Sequence, residues 1–205
     1  MSLTEDIDYV GGLLDSFAEG YHRVDVAAED ASDAGVPPEM QVGPVDDDGW
    51  VQWRVLPSTL SEEDVARVEE EFGARFPPLF RAYLLARFHL FNQVHSARYR
   101  QLVFMTDVPS GRRLDGLRDL IRSWRPLIDA GFLPFAQWGD GWGPMCFDLQ
   151  RRDERGECPI VWIDHERLIP PGPELSRREA VSPSVEQLYG SCGEFLSDVF
   201  GTRAR

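Results

Sequence analysis

Residues 132–166 read FLPFAQWGDGWGPMCFDLQRRDERGECPIVWIDHE, and this stretch decides the predicted fold. Aromatic and β-branched residues form short runs that glycine, proline and charged residues separate, a pattern typical of strands. The first break holds three glycines that supply positive φ, and the second, RRDERGECP, is polar enough for a solvated hairpin loop. The sequence therefore predicts an antiparallel meander of three strands. Trp138, Phe147 and Trp162 give this meander a large apolar surface, which must pack against helices.

Helical patterns flank the meander on both sides. Segment 61–73, SEEDVARVEEEFG, combines Ser61 as N-cap, three acidic residues in the first turn and Gly73 after the last turn. Pro78 opens a second helix. Apolar residues at helical spacing predict a final helix over 185–199. The predicted fold class is therefore α+β, a mostly antiparallel sheet packed against helices.

Negative charge is concentrated at the start of the chain. The 205 residues carry a net charge of −14. Residues 1–50 hold 13 Asp/Glu and one Arg, a net −12, whereas residues 51–205 carry a net −2. An acidic leader repels phosphate backbones, so we expect no nucleic-acid partner and favour a basic protein surface. We divide the chain into an acidic N-terminal extension with one amphipathic helix and a linker (1–50) and an α+β domain (51–205).

The composition also limits where in the cell we expect the protein to be. There is no apolar run near 18 residues and no basic, apolar and small-residue succession at the start, so we expect neither a membrane protein nor a secreted precursor. The chain has three cysteines, an odd number, and none has CxxC spacing. This argues against a disulfide framework and favours a reducing compartment and a cytoplasmic location. Cys146, on a strand, is expected to be buried, and Cys158, beside a charged loop, to be exposed.

Two stretches together resemble a known family. They are SEEDVARVEEEFGARFPPLFRAYLL, with Glu69 and Gly73 before Phe-Pro-Pro, and FLPFAQWGDGWGPMCFDLQ followed by CPIVWIDHE. In this order they resemble the SUKH superfamily, the Smi/Knr type of domain found in fungal glucan-synthesis regulators and bacterial immunity proteins. The resemblance covers residues 57–200 and leaves 1–50 unexplained, and Phe-Asn-Gln at 91–93 replaces the usual Gly-Gly pair. It implies an α+β fold without a known catalytic site and, in bacteria, binding and neutralisation of a toxin protein.

The meander carries the candidate partner-binding residues, which are Trp138, Asp140, Trp142, Asp164 and Glu166. The glycine-rich segment around Trp142 is either a plain turn or a recognition loop, and exposed aromatics are typical binding anchors. Asp164-His165-Glu166 is either an acid/base or metal cluster or a strand end that enters a solvated loop. On a strand, His165 points away from its neighbours, and no HxH or HxxxH spacing occurs, so we predict no metal, cofactor or catalytic residue.

Three hypotheses about function follow. The first is a non-enzymatic, cytoplasmic immunity protein that binds a toxin, most simply a basic toxin domain. The second is a regulatory or scaffold module of the same fold, of the type that regulates cell-wall synthesis. The third is an unrecognised metal-dependent hydrolase that uses Asp140, Asp164 and His165. A fold supports a site without defining its partner, so the sequence does not choose among toxins.

Overall fold

The computed structural model describes residues 2–139, 141–167 and 173–201. Its helices are α1 (Leu3–Gly20), α2 (Glu62–Phe72), α3 (Pro78–Ala86), α4 (Asp115–Ser123), α5 (Pro126–Asp129), α6 (Arg178–Val181) and α7 (Cys192–Phe200). Its strands are β1 (Val24–Val26), β2 (Gln41–Val42), β3 (Trp50–Trp53), β4 (Leu56–Pro57), β5 (Arg87–Phe88), β6 (Gln93–Ser96), β7 (Gln101–Met105), β8 (Phe132–Trp138), β9 (Pro144–Asp148), β10 (Ile160–Ile163) and β11 (Val185–Tyr189). No helix among these residues is both long enough and apolar enough to cross a membrane.

A six-stranded antiparallel sheet is the centre of the fold. Strands β6 to β11 lie side by side in chain order, and each neighbouring pair is antiparallel. The predicted three-stranded meander is the β8–β9–β10 portion of this sheet, and the predicted α+β class is confirmed. A register shift between Pro134 and Ala136 interrupts the β8–β9 pairing. Since proline cannot donate a ladder hydrogen bond, an irregularity beside Pro134 is expected.

Helices bury both faces of the central strands. On one face, Phe80 of α3 and Phe195 of α7 pack against Phe135, which stacks on Phe147 with ring centroids 4.2 Å apart. On the other face, Phe132 lies in a smaller cluster with Leu127 of α5 and Val181 of α6. Because side chains alternate along a strand, Phe132 faces the smaller cluster while Leu133 and Phe135 face the main core. This double burial explains why every residue of β8 except Gln137 is buried.

The final predicted helix is wrong in its first half. Residues 185–189 form β11, which pairs with β10, and only Cys192–Phe200 are helical. Ser191 is the N-cap of this shorter helix, and its hydroxyl accepts a hydrogen bond from the Glu194 backbone N–H at 3.2 Å. Val185, Leu188 and Tyr189 suit a helical period, but pairing with an otherwise open edge of the sheet overrides that local preference.

The N-terminal residues contain more structure than a helix and a linker. Within the segment interpreted as a linker, β1 and β2 pair with β3 to form a second, three-stranded antiparallel sheet. Helix α1 packs against α3 and α7, and its residues Val10 and Leu14 belong to the main core. The Arg87 guanidinium makes two hydrogen bonds to the carboxylate of Asp15, at 2.7 and 2.9 Å. The division of the chain at residue 50 stays a prediction, and these contacts cross it.

Candidate interaction surface

A glycine-rich turn between β8 and β9 forms one end of the six-stranded sheet. The carbonyl oxygen of Gly143 accepts a hydrogen bond from the Trp138 N–H at 3.0 Å. Gly143 has a φ of 121°, and a Cβ there would lie 2.2 Å from the carbonyl oxygen of Ile163. No L-residue fits that space, so glycine is required. The turn is thereby held against the end of β10.

Trp142 is the exposed aromatic side chain of this turn. It is 51% exposed, and one side of its ring packs against neighbouring residues. Its carbonyl oxygen accepts a hydrogen bond from the Trp162 indole N–H at 2.9 Å, and the two indole rings lie 6.4 Å apart. A Cβ on Gly139 would lie 2.9 Å from Cδ2 of Trp142, so the indole lies over that glycine. An exposed side chain that is already ordered loses less conformational entropy when a partner binds.

Asp164, His165 and Glu166 follow β10 beside the same turn. The Asp164 carboxylate accepts a hydrogen bond from the Glu166 N–H at 3.0 Å and forms an ion pair with Arg167 at 3.0 Å, one contact for each oxygen. The side chains of His165 and Glu166 are exposed. Because the carboxylate of Asp164 caps its own turn, this geometry favours a strand end that enters solvent over an acid/base cluster.

The candidate residues separate into different environments. Trp142, Asp164 and Glu166 lie at one end of the sheet, where the His165 N–H approaches the Trp142 carbonyl oxygen at 3.5 Å. Trp138 lies in the core, 4% exposed, with its ring edge-on to Tyr99 at 5.4 Å. Asp140 lies outside the described residues. We call the exposed side chains of Trp142, His165 and Glu166, with Trp162 beside Trp142, the turn surface.

The thiols are all buried, which corrects the expectation that Cys158 is exposed. Cys158 follows the polar loop directly, yet its side chain points into the main core. Burial raises the pKa of the Cys158 thiol to about 11, and it also raises the pKa values of Cys146 and Cys192 well above the usual thiol value. A thiol with a raised pKa is a poor nucleophile, because the thiolate is the reactive form. Among residues 2–139, 141–167 and 173–201, no three His, Cys, Asp or Glu side chains come together to hold a metal ion.

A family model described as the SMI1 / KNR4 family (SUKH-1) matches residues 59–198. The chain belongs to this family. No curated protein matches the chain. The SUKH-1 match begins just before α2 and ends inside α7, so it contains the α2–α3 pair and the whole six-stranded sheet. The three-stranded sheet and α1 lie outside the match.

Glu69 gives the helix-pair pattern of this SUKH-1 domain a physical role. Its side chain is buried, and its carboxylate accepts hydrogen bonds from the Phe76 backbone N–H at 2.9 Å and from Arg81 at 3.0 Å. Gly73 ends α2 in the left-handed conformation, with a φ of 66°. Glu69 therefore satisfies a backbone donor of the turn while Gly73 reverses the chain. In the sequence these residues are a pattern, and in the structure they stabilise the connection between α2 and α3.

One further concavity of this SUKH-1 chain was not predicted from the sequence. A cleft of about 610 Å³ opens between the C-terminal ends of α1 and α7 and the outer strand β6. Phe17, Tyr21, Val94 and Phe200 supply its apolar lining, and His95 lies at its edge. Its walls come from opposite ends of the chain, so no local pattern could indicate it.

Proposed function

We propose that this SUKH-1 chain is a non-enzymatic protein-binding domain that acts in the cytoplasm as a bacterial immunity protein. It neutralises a toxin by binding it directly. Membership of the family supports protein binding as the mode of action. Among the roles that the family resemblance implies, toxin neutralisation best fits an acidic chain with a half-exposed tryptophan packed over a glycine.

The observation that carries this proposal is the state of Trp142. The side chain is half exposed, yet its ring packs over Gly139 and lies beside the Trp162 ring, whose N–H donates a hydrogen bond to the Trp142 backbone carbonyl oxygen. Tryptophan is costly to leave in water and is over-represented among the residues that dominate binding energies. The exposed carboxylate of Glu166, on the segment that follows β10 beside the turn, would pair with cations around the anchored contact.

The partner proposed is a basic toxin domain. With a net charge of −14, the chain attracts cationic surfaces and repels nucleic acid and anionic lipid. We assign no metal, cofactor or catalytic residue to the role. The carboxylate of Asp164, which a hydrolase would need free, is already engaged by Glu166 and Arg167.

Toxin neutralisation can be tested by co-expression. A toxin domain encoded beside this gene is expressed in a surrogate host, with and without the chain, and growth is measured. Growth restored by the chain, and lost again with Trp142→Ala, supports the proposal. Trp142→Ala should weaken binding to the purified toxin domain by about 2 kcal/mol or more and change the urea midpoint little.

Tyr9→Ala is the matched control, because Tyr9 is also exposed and aromatic but lies on α1. It should leave both growth and affinity unchanged. A large fall in stability with unaltered affinity would show that Trp142 is structural. Affinity capture from the native host that returns a cell-wall synthesis protein, with no effect on any toxin, would replace the immunity role with the regulatory one.

A further inference from the structure

The three-stranded sheet has one face in the core and one face in water. Val26 of β1 lies directly opposite Trp50 of β3, and Val42 of β2 lies opposite Gln52. Opposite residues in an antiparallel pair point to the same side, and so do residues two apart along a strand. Val26, Val42, Trp50 and Gln52 therefore share one face. We call it the Trp50 face.

Exposure confirms the alternation and shows that the Trp50 face is uncovered. Trp50 is 43% exposed, Val26 45% and Val42 40%, whereas Val51 and Trp53, on the opposite face, are buried. Val45, in the loop that joins β2 to β3, is 47% exposed. Tyr9, Tyr99 and Trp142, the other large apolar side chains exposed in the described residues, lie on separate elements. Clustered exposed apolar side chains indicate an interaction site, which scattered ones do not.

A tight turn fixes the position of Trp50. The Asp46 carboxylate accepts hydrogen bonds from the backbone N–H groups of Asp48 and Trp50, at 3.0 and 2.8 Å. The Asp46 N–H in turn donates to the Trp50 carbonyl oxygen at 2.9 Å, and Gly49 reverses the chain with a φ of 86°. The side chains of Asp47 and Asp48, in the same turn, are exposed to solvent. The exposed tryptophan and the two exposed charges are thus presented together by one ordered loop.

The charge of the chain segment that contains this face indicates its occupant. Residues 24–50 contain eight Asp/Glu and no Arg or Lys. A second copy of the chain would bring the same carboxylates against these, and like charges across an interface cost free energy. A polypeptide with alternating apolar and cationic side chains meets both requirements, since its apolar groups cover Trp50 and Val26 while its cations face the carboxylates.

We propose that the Trp50 face is a docking surface for a basic polypeptide segment that presents aliphatic side chains between arginines or lysines. The inference rests on the proposed protein-binding role, but it does not require the partner to be a toxin. The Trp50 face lies outside the SUKH-1 match and is a separate contact from the turn surface. A partner that engages both surfaces binds through a part of the chain that the family model does not cover.

The test uses the full chain and three short synthetic peptides. In the first peptide Leu and Arg alternate, in the second Glu replaces Arg, and in the third Ser replaces Leu. Binding is followed by ¹⁵N NMR, with the backbone and indole N–H signals assigned. We expect the Leu-Arg peptide to shift the Trp50 indole signal and the amides of β1, β2 and β3, and the other two peptides to shift them little.

Trp50→Ser should weaken binding of the Leu-Arg peptide about 10-fold. Val26→Thr, which keeps a β-branched residue in the strand, should weaken that binding several-fold. Tyr9→Ser, an exposed aromatic change on α1, should leave the affinity unaltered. Urea midpoints establish that each variant is folded. If Trp50→Ser binds as tightly as the unchanged chain, or if the Ser-Arg peptide binds equally well, the proposal fails.

Sedimentation of the free chain tests the competing occupant. A dimer that Trp50→Ser converts to monomer would assign the face to a second copy and overturn the proposal. The peptide result is independent of the growth experiment. Peptide binding without toxin neutralisation would reject the immunity role and leave the Trp50 face standing, and the reverse outcome would reject the face alone.

Discussion

His89 is the side chain whose burial has the clearest consequence for stability. It is completely buried between Tyr83 and Phe91, with ring centroids 5.2 and 5.0 Å away. Its Nδ1 accepts the Phe91 backbone N–H at 3.2 Å, while Nε2 has no hydrogen-bond partner among the described residues. Burial without a compensating charge lowers the pKa of His89 to about 3. The folded protein therefore holds a neutral imidazole through the whole mildly acidic range.

This depressed pKa predicts acid sensitivity. Between pH 6.5 and pH 3 the unfolded chain binds a proton at His89 and the folded chain does not, so folding loses free energy as pH falls. At pH 5 the loss is about 2 kcal/mol relative to neutral pH. Above pH 6.5 the imidazole is neutral in both states, and the penalty is absent. Urea unfolding at a series of pH values measures it.

His89→Asn is the matched variant, because the Asn carbonyl oxygen can still accept the Phe91 N–H but does not titrate. Asp107 and Glu157 act in the opposite direction, since burial raises their pKa values and their protonation at low pH favours the folded state. The variant retains both carboxylates, so subtracting its pH profile isolates His89. We expect the variant to be less stable at pH 7 but to lose less on acidification. Parallel profiles would contradict the buried neutral imidazole.

The role of a residue could be predicted from the sequence where the chemistry of its own side chain determines that role. It could not be predicted where packing by distant parts of the chain determines whether the residue is buried. Trp138, at the end of a strand, and Trp142, inside the glycine-rich break that follows it, lie four positions apart, and both were predicted to be partner-binding residues. One is in the core because its strand is covered on both faces, and the other is exposed because it lies in the turn. Helices distant in the sequence cover β8, so local pattern could not separate the two.

Helices and strands could be predicted where the sequence pattern that indicates them lies within the element itself. The cap of α2 is correct, as Ser61 accepts the Asp64 N–H and Asp64 accepts the Ser61 N–H. The strands β1 and β2 are three and two residues long, too short for an alternation to be recognised. They exist because β3 pairs with both. A long segment without secondary structure is uncommon in a compact domain. That rule alone indicated that the segment interpreted as a linker could contain strands.

Helix α1 tests how closely the N-terminal residues are coupled to the domain. Gly12 lies in the helix interior, and a Cβ there meets no atom within 4 Å. Gly12→Ala should therefore stabilise the protein by about 1 kcal/mol, because alanine loses less backbone entropy in a helix. If α1 unfolds together with the domain, this gain appears in the main unfolding transition. Urea denaturation followed by tryptophan fluorescence measures it.

Gly11→Ala is the paired control on the same helix. A Cβ on Gly11 would lie 3.1 Å from the guanidinium group of Arg87, which is held by the Asp15 carboxylate. The same propensity gain is therefore offset by a shift of Arg87, and we expect little net change. A fluorescence midpoint that Gly12→Ala leaves unaltered would show that α1 unfolds separately, as an N-terminal extension would.

At the scale of the whole molecule, the sequence predicted the α+β class, the meander and the family, all of which are confirmed. Each depended on patterns inside one continuous stretch, 57–200. The association of α1 with α3 and α7 depends on contacts between opposite ends of the chain, which composition and periodicity do not contain. Net charge, however, is a whole-chain quantity that the sequence gives directly.

The uneven charge predicts how the chain meets a basic partner. Attraction by the acidic N-terminal residues acts before contact, so it should raise the association rate and leave dissociation nearly unchanged. Added salt screens it over about 8 Å at physiological ionic strength. Removing three exposed carboxylates with Glu29→Gln, Asp47→Asn and Asp48→Asn should slow association several-fold at low salt and flatten its salt dependence.

The matched control removes three exposed carboxylates elsewhere, with Glu154→Gln, Glu174→Gln and Glu186→Gln. Both variants change the net charge by the same amount, so a difference between them reports where the charge lies. Stopped-flow association with the captured partner at several salt concentrations measures both. Equal salt slopes for the two variants would reduce the effect to net charge alone. Much faster dissociation of the first variant would mean that Asp47 and Asp48 touch the partner directly, as carboxylates beside the Trp50 face could.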